Sequence, residues 1–103
     1  MKKSVEFDRR AYKEIRKFPI EVEKKFFALI ELLEKRGQLQ EPEAKMLKRN
    51  LYELRVRFRG QWRAIYAYVK KDLIIVLCAF RKKTQRTPSR YIETAFKRLK
   101  YYI

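Results

Sequence analysis

Hydrophobic positions in this chain follow a helical period first, then a strand period, then a helical one again. Val22, Phe26, Leu29, Ile30 and Leu33 recur at the i, i+4, i+7, i+8, i+11 spacing of a helix with one buried stripe. Glu21 and Glu23 lie near its positive end, and Gly37 is placed to stop it. Ahead of it, Asp8 is a candidate N-cap for a shorter helix with Ala11, Ile15 and Phe18 on one side, and Pro19 divides the two. Ser4–Phe7 reads as a short edge strand.

The period then changes. From Gln38 to Asn50 the pattern fades into a polar connection, predicted as loop or a single turn with Met46 and Leu47 tucked in. Tyr52, Leu54, Val56 and Phe58 alternate with Glu53, Arg55, Arg57 and Arg59, the period-two pattern of a strand with one buried and one wet face. Gly60 supplies a turn, residues 62–69 return, and Leu73 to Phe80 is a continuous apolar run suited to a strand covered on both faces. Thr87 and Pro88 start a last helix carrying Ile92, Ala95, Phe96, Leu99 and Ile103. This order predicts an α+β fold: an N-terminal helical hairpin packed on a small antiparallel sheet, a meander of three strands plus the N-terminal strand, closed by a C-terminal helix. One domain spans residues 1–103, with no repeat or linker.

Charge sharpens this picture. Twenty-eight Lys and Arg stand against 12 Asp and Glu, a net charge of +16, with no histidine. The 47% hydrophobic content is enough for a packed core, so the charge points to acidic partners rather than to disorder. Cys78 is the single cysteine and lies in the apolar run, which fits a core thiol in a reducing cytoplasm and excludes an internal disulfide. No apolar run approaches the roughly 18 residues of a membrane span, the N-terminus has no signal-peptide pattern, and no P-loop, histidine metal site or serine triad is present. A soluble cytoplasmic protein without cofactor or metal is expected.

The arginines form the candidate site. Arg55 and Arg57 share a strand face, and the hairpin through Gly60 brings Arg63 alongside them. The tract Phe80-Arg81-Lys82-Lys83-Thr84-Gln85-Arg86-Thr87-Pro88 leaves the last strand at the same end of the sheet. Together they predict a phosphate socket, against the plainer reading of a solvated basic strand face. Glu53 belongs to the Arg55 side, as an ion-pair partner orienting Arg55 or as a general base. Trp62, Tyr66 and Tyr68 have the opposite parity, for stacking on bases or for packing beneath a helix. Lys45, Lys48 and Arg49 are read either as RNA-backbone contacts or as a solvated charge run.

Leu51-Tyr52-Glu53-Leu54-Arg55, then Arg63 with Tyr66, then the Phe80 to Pro88 tract, resemble the HigB-like branch of the RelE/ParE toxin superfamily over nearly the whole chain. The resemblance implies the toxin of a type II toxin–antitoxin pair, a metal-independent, ribosome-dependent endoribonuclease that cuts mRNA on the 70S ribosome. It implies a cognate antitoxin carrying a helix-turn-helix DNA-binding domain, which covers the socket or displaces the C-terminal helix. The candidate catalytic residues carried over are Arg55, Arg63, Lys82, Lys83 and Tyr91, the last across a segment that differs in length from some relatives. The candidate RNA-binding residues are Lys45, Lys48, Arg57, Arg81, Gln85 and Arg86. Arg55 and Arg63 are expected to clamp phosphate oxygens, and Lys82 or Lys83 to transfer a proton. Two other functions stay open: a ParE-like DNA gyrase poison and a non-catalytic RNA-binding module.

Overall fold

Asp8 caps the first helix as its position predicts, accepting the Arg10 amide at 2.9 Å. In the computed structural model, which describes residues 2–103, the elements follow as β1 (Ser4–Phe7), α1 (Arg9–Arg16), α2 (Ile20–Arg36), β2 (Ala44–Lys48), β3 (Leu51–Arg57), β4 (Gln61–Lys70), β5 (Leu73–Lys82) and α3 (Ser89–Leu99). Gly37 ends α2 in the left-handed region at φ 79°, where a side chain would be strained.

The Asp8 carboxylate also takes both Nε and Nη2 of Arg10 and the Tyr102 hydroxyl, tying the chain's C-terminal segment to the start of α1. Burial pushes this carboxyl up, but the hydrogen bonds from Arg10 and Tyr102 outweigh it and hold Asp8 well below the usual carboxylate range. A depressed carboxyl stabilises the fold at pH values above its unfolded pKa of about 3.9, and that contribution fades as pH falls through the depressed value. Asp8→Ala is therefore expected to cost about 1–2 kcal/mol at pH 7, with the gap to wild type narrowing below about pH 4 in urea titrations.

Among the described residues the strands form one five-stranded sheet in the order β1-β5-β4-β3-β2. The antiparallel meander of β3, β4 and β5 is as expected. Two features differ from the sequence expectation. The sheet is mixed, because β1 runs parallel to β5, with Val5 beside Ile74 and Phe7 beside Val76. A strand, β2, also occupies part of the segment expected to be loop: Ala44, Lys45 and Met46 pair with Leu54, Glu53 and Tyr52. Its mostly exposed side chains give no alternation to read, and the strand forms because the β3 edge offers it hydrogen bonds.

The sheet separates two cores. Ile15, Phe26, Ile30 and Leu33 of the helical hairpin pack on Leu54, Val56, Trp62, Tyr66 and Val76. On the other face Ala95 and Leu99 of α3 meet Ile65, Ile75, Leu77 and Phe80. β5 is therefore covered on both sides, and an irregularity between Cys78 and Val76 turns Leu77 and Cys78 to the α3 face together. Burial raises the Cys78 thiol to about 12, which makes it an inert core group. Beyond the end of β1, Glu14 takes over the β5 edge, accepting the Ala79 amide at 3.0 Å. Arg98 of α3 grips both Glu14 oxygens and donates to the Leu77 carbonyl at 2.8 Å. The helical stripe stops there: Ile103, expected to dock, is 77% exposed, because α3 ends at Leu99. α3 thus covers the part of its face carried by Ile65, Ile75 and Leu77, and the end carrying Arg55, Arg57, Arg63 and Lys82 stays open.

Candidate active site

Strand register builds the site. Arg55 lies directly opposite Arg63, Arg57 opposite Gln61, and Gln61 opposite Lys82, so residues from β3, β4 and β5 meet on one sheet face. With Lys83, Thr84 and Gln85 from the following loop they border a cavity of about 760 Å³.

Two arginines side by side repel, and Glu53 is what makes the arrangement tolerable. The β3 pattern placed Glu53 on the wet face; its parity is as expected but it is 1% exposed, covered by the incoming chain at Thr87. Its Oε1 lies 3.3 Å from Arg55 Nε and 3.4 Å from Arg63 Nε, and its Oε2 accepts the Thr87 hydroxyl at 2.7 Å. This carboxylate is enclosed and engaged at both oxygens, the arrangement of an ion-pair partner to the two arginines. Arg55 is half-buried and also faces Glu41 at 3.7 Å.

Arg63 is the floor of the cavity. It is 6% exposed, its Nη1 donates to the Trp62 carbonyl at 3.1 Å, and its Nη2 donates to Gln61 Oε1. Burial, with Arg55 and Arg57 nearby, lowers its pKa from the ordinary arginine value against the pull of Glu53, yet a guanidinium retains its proton at neutral pH. Lys82 is half-buried at the wall. Desolvation lowers its ammonium pKa below the ordinary lysine value, Arg63, Arg55 and Lys45 push it the same way, and Glu53 opposes them. Lys83, Gln85 and Arg86 are exposed on the loop, where the Thr84 hydroxyl donates to the Arg86 carbonyl.

Other sequence candidates fall elsewhere. Arg81 lies opposite Trp62, on the other sheet face from Arg63; its guanidinium sits 5.2 Å from the Trp62 ring and donates to the Arg59 carbonyl, so it meets the cavity only at the rim. Gly60 permits this crossing: at φ 136° it carries no side chain where a Cβ would come within 2.9 Å of Arg81 Nη2. Tyr91 is outside the cavity walls, stacked on Phe80 at 3.8 Å and with the Arg90 guanidinium 4.7 Å from its ring. Lys45 and Lys48 border a neighbouring cavity of about 840 Å³ between β2 and α3, which shares Arg55, Lys82, Thr84 and Gln85 with the first. Arg49 is exposed in the turn after β2. Trp62 and Tyr66 are buried under the helical hairpin, and the Tyr68 hydroxyl donates to the Gly37 carbonyl, so these aromatics are packing groups rather than base-stacking ones. Among the described residues no cluster of His, Cys, Asp or Glu could hold a metal ion.

Sequence reasoning missed Gln61 and Thr87. Gln61 shares strand parity with Arg63 and could have been found that way. Thr87 lies 34 residues from Glu53, and no local pattern announces their contact.

A helical hairpin over one sheet face, and α3 over part of the other with a basic cavity at its open end, define a small α+β protein. Residues 13–100 match the profile of the family described as phage-derived protein Gp49-like (DUF891), and the chain belongs to that family. The fold is RelE-like. A free-state mutant of the E. coli toxin RelE aligns with a TM-score of 0.73 at 20% identity, covering 95% of this chain and 98% of that one. The RelBE2 toxin–antitoxin complex from Mycobacterium tuberculosis contains a chain aligning at 0.59 and 16% identity, over 80% of this chain and 100% of that one. No curated protein sequence matches the chain.

Proposed function

We propose that this protein is the toxin of a type II toxin–antitoxin pair, an endoribonuclease that cuts mRNA on translating ribosomes. The observation that carries this reading is the convergence of Arg55, Arg57, Arg63 and Lys82 from three strands on one cavity. Cleavage by the RNA's own 2′-hydroxyl builds charge on the phosphate oxygens and on the leaving 5′-oxygen. The 2′-oxygen gives its proton to solvent water and bonds to phosphorus as the P–O5′ bond breaks. Arg55 and Arg63, aimed by Glu53, clamp the phosphate, Arg57 and the loop cations hold the flanking backbone, and Lys82 protonates the departing 5′-oxygen. A site without histidine is a weak acid–base catalyst alone, and alignment of the substrate by the ribosome supplies what it lacks. The RelE-like fold and the Leu51 to Arg55 and Phe80 to Pro88 stretches support a place in the HigB-like branch, with a helix-turn-helix antitoxin as partner in the cytoplasm.

Inducing the chain alone and mapping cellular mRNA ends tests the reading. Cuts within translated frames support it; double-strand DNA breaks would mean a gyrase poison, and neither would mean an RNA-binding module. The lysine role has a pH signature. As an acid with a lowered pKa, Lys82 stops donating as pH rises through a value below about 10.4, so cleavage on isolated programmed ribosomes is expected to fall on the alkaline side. Lys82→Arg, protonated throughout, is expected to lose that limb and about 10²-fold of the rate.

A further inference from the structure

We propose that Thr87 is a positioning residue for the arginine pair, acting through Glu53. The inference rests on the ribonuclease reading for its purpose, and on geometry alone for its existence. Glu53 is enclosed between three donors, and its two oxygens divide the work: Oε1 faces Arg55 and Arg63, while Oε2 receives the Thr87 hydroxyl at 2.7 Å. Arg63 Nε is buried without a hydrogen-bond partner of good geometry, although Glu53 Oε1 is 3.4 Å away. The other Arg63 nitrogens are tied to its own strand at Trp62 and Gln61. What holds Glu53 in the rotation that serves both arginines is therefore the hydroxyl on its far side.

Thr87 has a second consequence. It is the last residue of the basic loop before Pro88 and α3, so the same bond pins that loop to β3. The strand arginines and the loop cations Lys83 and Arg86 are referenced to a single carboxylate. A part-buried hydroxyl-to-carboxylate bond is strong enough to hold that orientation, and valine in its place keeps the shape while removing the donor.

The experiment is arginine side-chain NMR on the whole protein with Thr87→Val, Thr87→Ser and Glu53→Gln, alongside mRNA cleavage on programmed ribosomes. In Thr87→Val the Nε–Hε signals of Arg55 and Arg63 are expected to shift or broaden while the backbone amide spectrum of the sheet is retained, and Thr87→Ser restores them. Cleavage is expected to fall about tenfold in kcat with little change in KM for Thr87→Val, and to recover in Thr87→Ser. Glu53→Gln moves the same two signals and serves as the second probe should the valine variant fold poorly. Unchanged arginine signals in Thr87→Val, or in Glu53→Gln, would overturn the proposal, whatever happened to cleavage. Signals that move as expected in a protein with no ribonuclease activity would support the positioning role and remove the ribonuclease reading instead.

Discussion

Arg63→Ala is expected to lower mRNA cleavage on translating ribosomes about 10²–10³-fold, the size of effect seen when one preorganised donor is taken from a developing oxyanion. The magnitude follows from where Arg63 sits. Its guanidinium is the cavity floor, enclosed by Trp62, Gln61 and Glu53, so a phosphate that reaches it meets a charge already desolvated and already aimed. In the free protein the Gln61 carboxamide occupies one of its donors; substrate phosphate replaces that neutral acceptor with a charged one, and the exchange favours the anion. Arg63→Lys keeps the charge and loses the planar fork, and should recover only part of the loss. Primer-extension mapping of mRNA ends measures this, with urea unfolding of each variant as the control. Full cleavage by a folded Arg63→Ala protein would remove the clamp from the mechanism.

Trp62→Ala is expected to destabilise the fold by about 3–5 kcal/mol, a large part of the roughly 5–15 kcal/mol that domains of this size possess. Trp62 is 8% exposed, its ring lies 4.9 Å from that of Phe18, and its indole N–H donates to the Phe58 carbonyl at 2.9 Å. Alanine would leave a cavity under the helical hairpin and an acceptor without its donor. The same ring carries Arg81 on its outer side, so the variant should also free the β3–β4 turn at the cavity rim. Trp62→Phe, which retains most of the contact area, should cost less than half as much. Urea midpoints at constant m-value give the comparison, and a loss below 1 kcal/mol for Trp62→Ala would show that the core does not depend on this residue.

Much of this architecture was legible because it is local. The α2 stripe, the Gly37 stop, the Asp8 cap and the apolar β5 run each follow from short-range spacing, and each appears at its expected place. Arg55, Arg57 and Arg63 share a face for the same reason, since strand parity and one short turn leave little freedom. The β2 strand was not legible, because an exposed edge strand has no buried face to impose a pattern. Arg81 meets the socket only at its rim, because consecutive strand residues point to opposite faces and the basic run is therefore not one patch.

By itself the chain determined which residues could be helix, strand and basic site, because periodicity and parity act over a few neighbouring positions. Tertiary structure decided that the sheet is mixed, that α3 leaves one end of its face open, and that Glu53 is enclosed with Thr87 on one side and two arginines on the other. Those outcomes depend on contacts between segments far apart in sequence, whose relative placement is set by which buried faces and unpaired backbone groups find partners once the layers assemble.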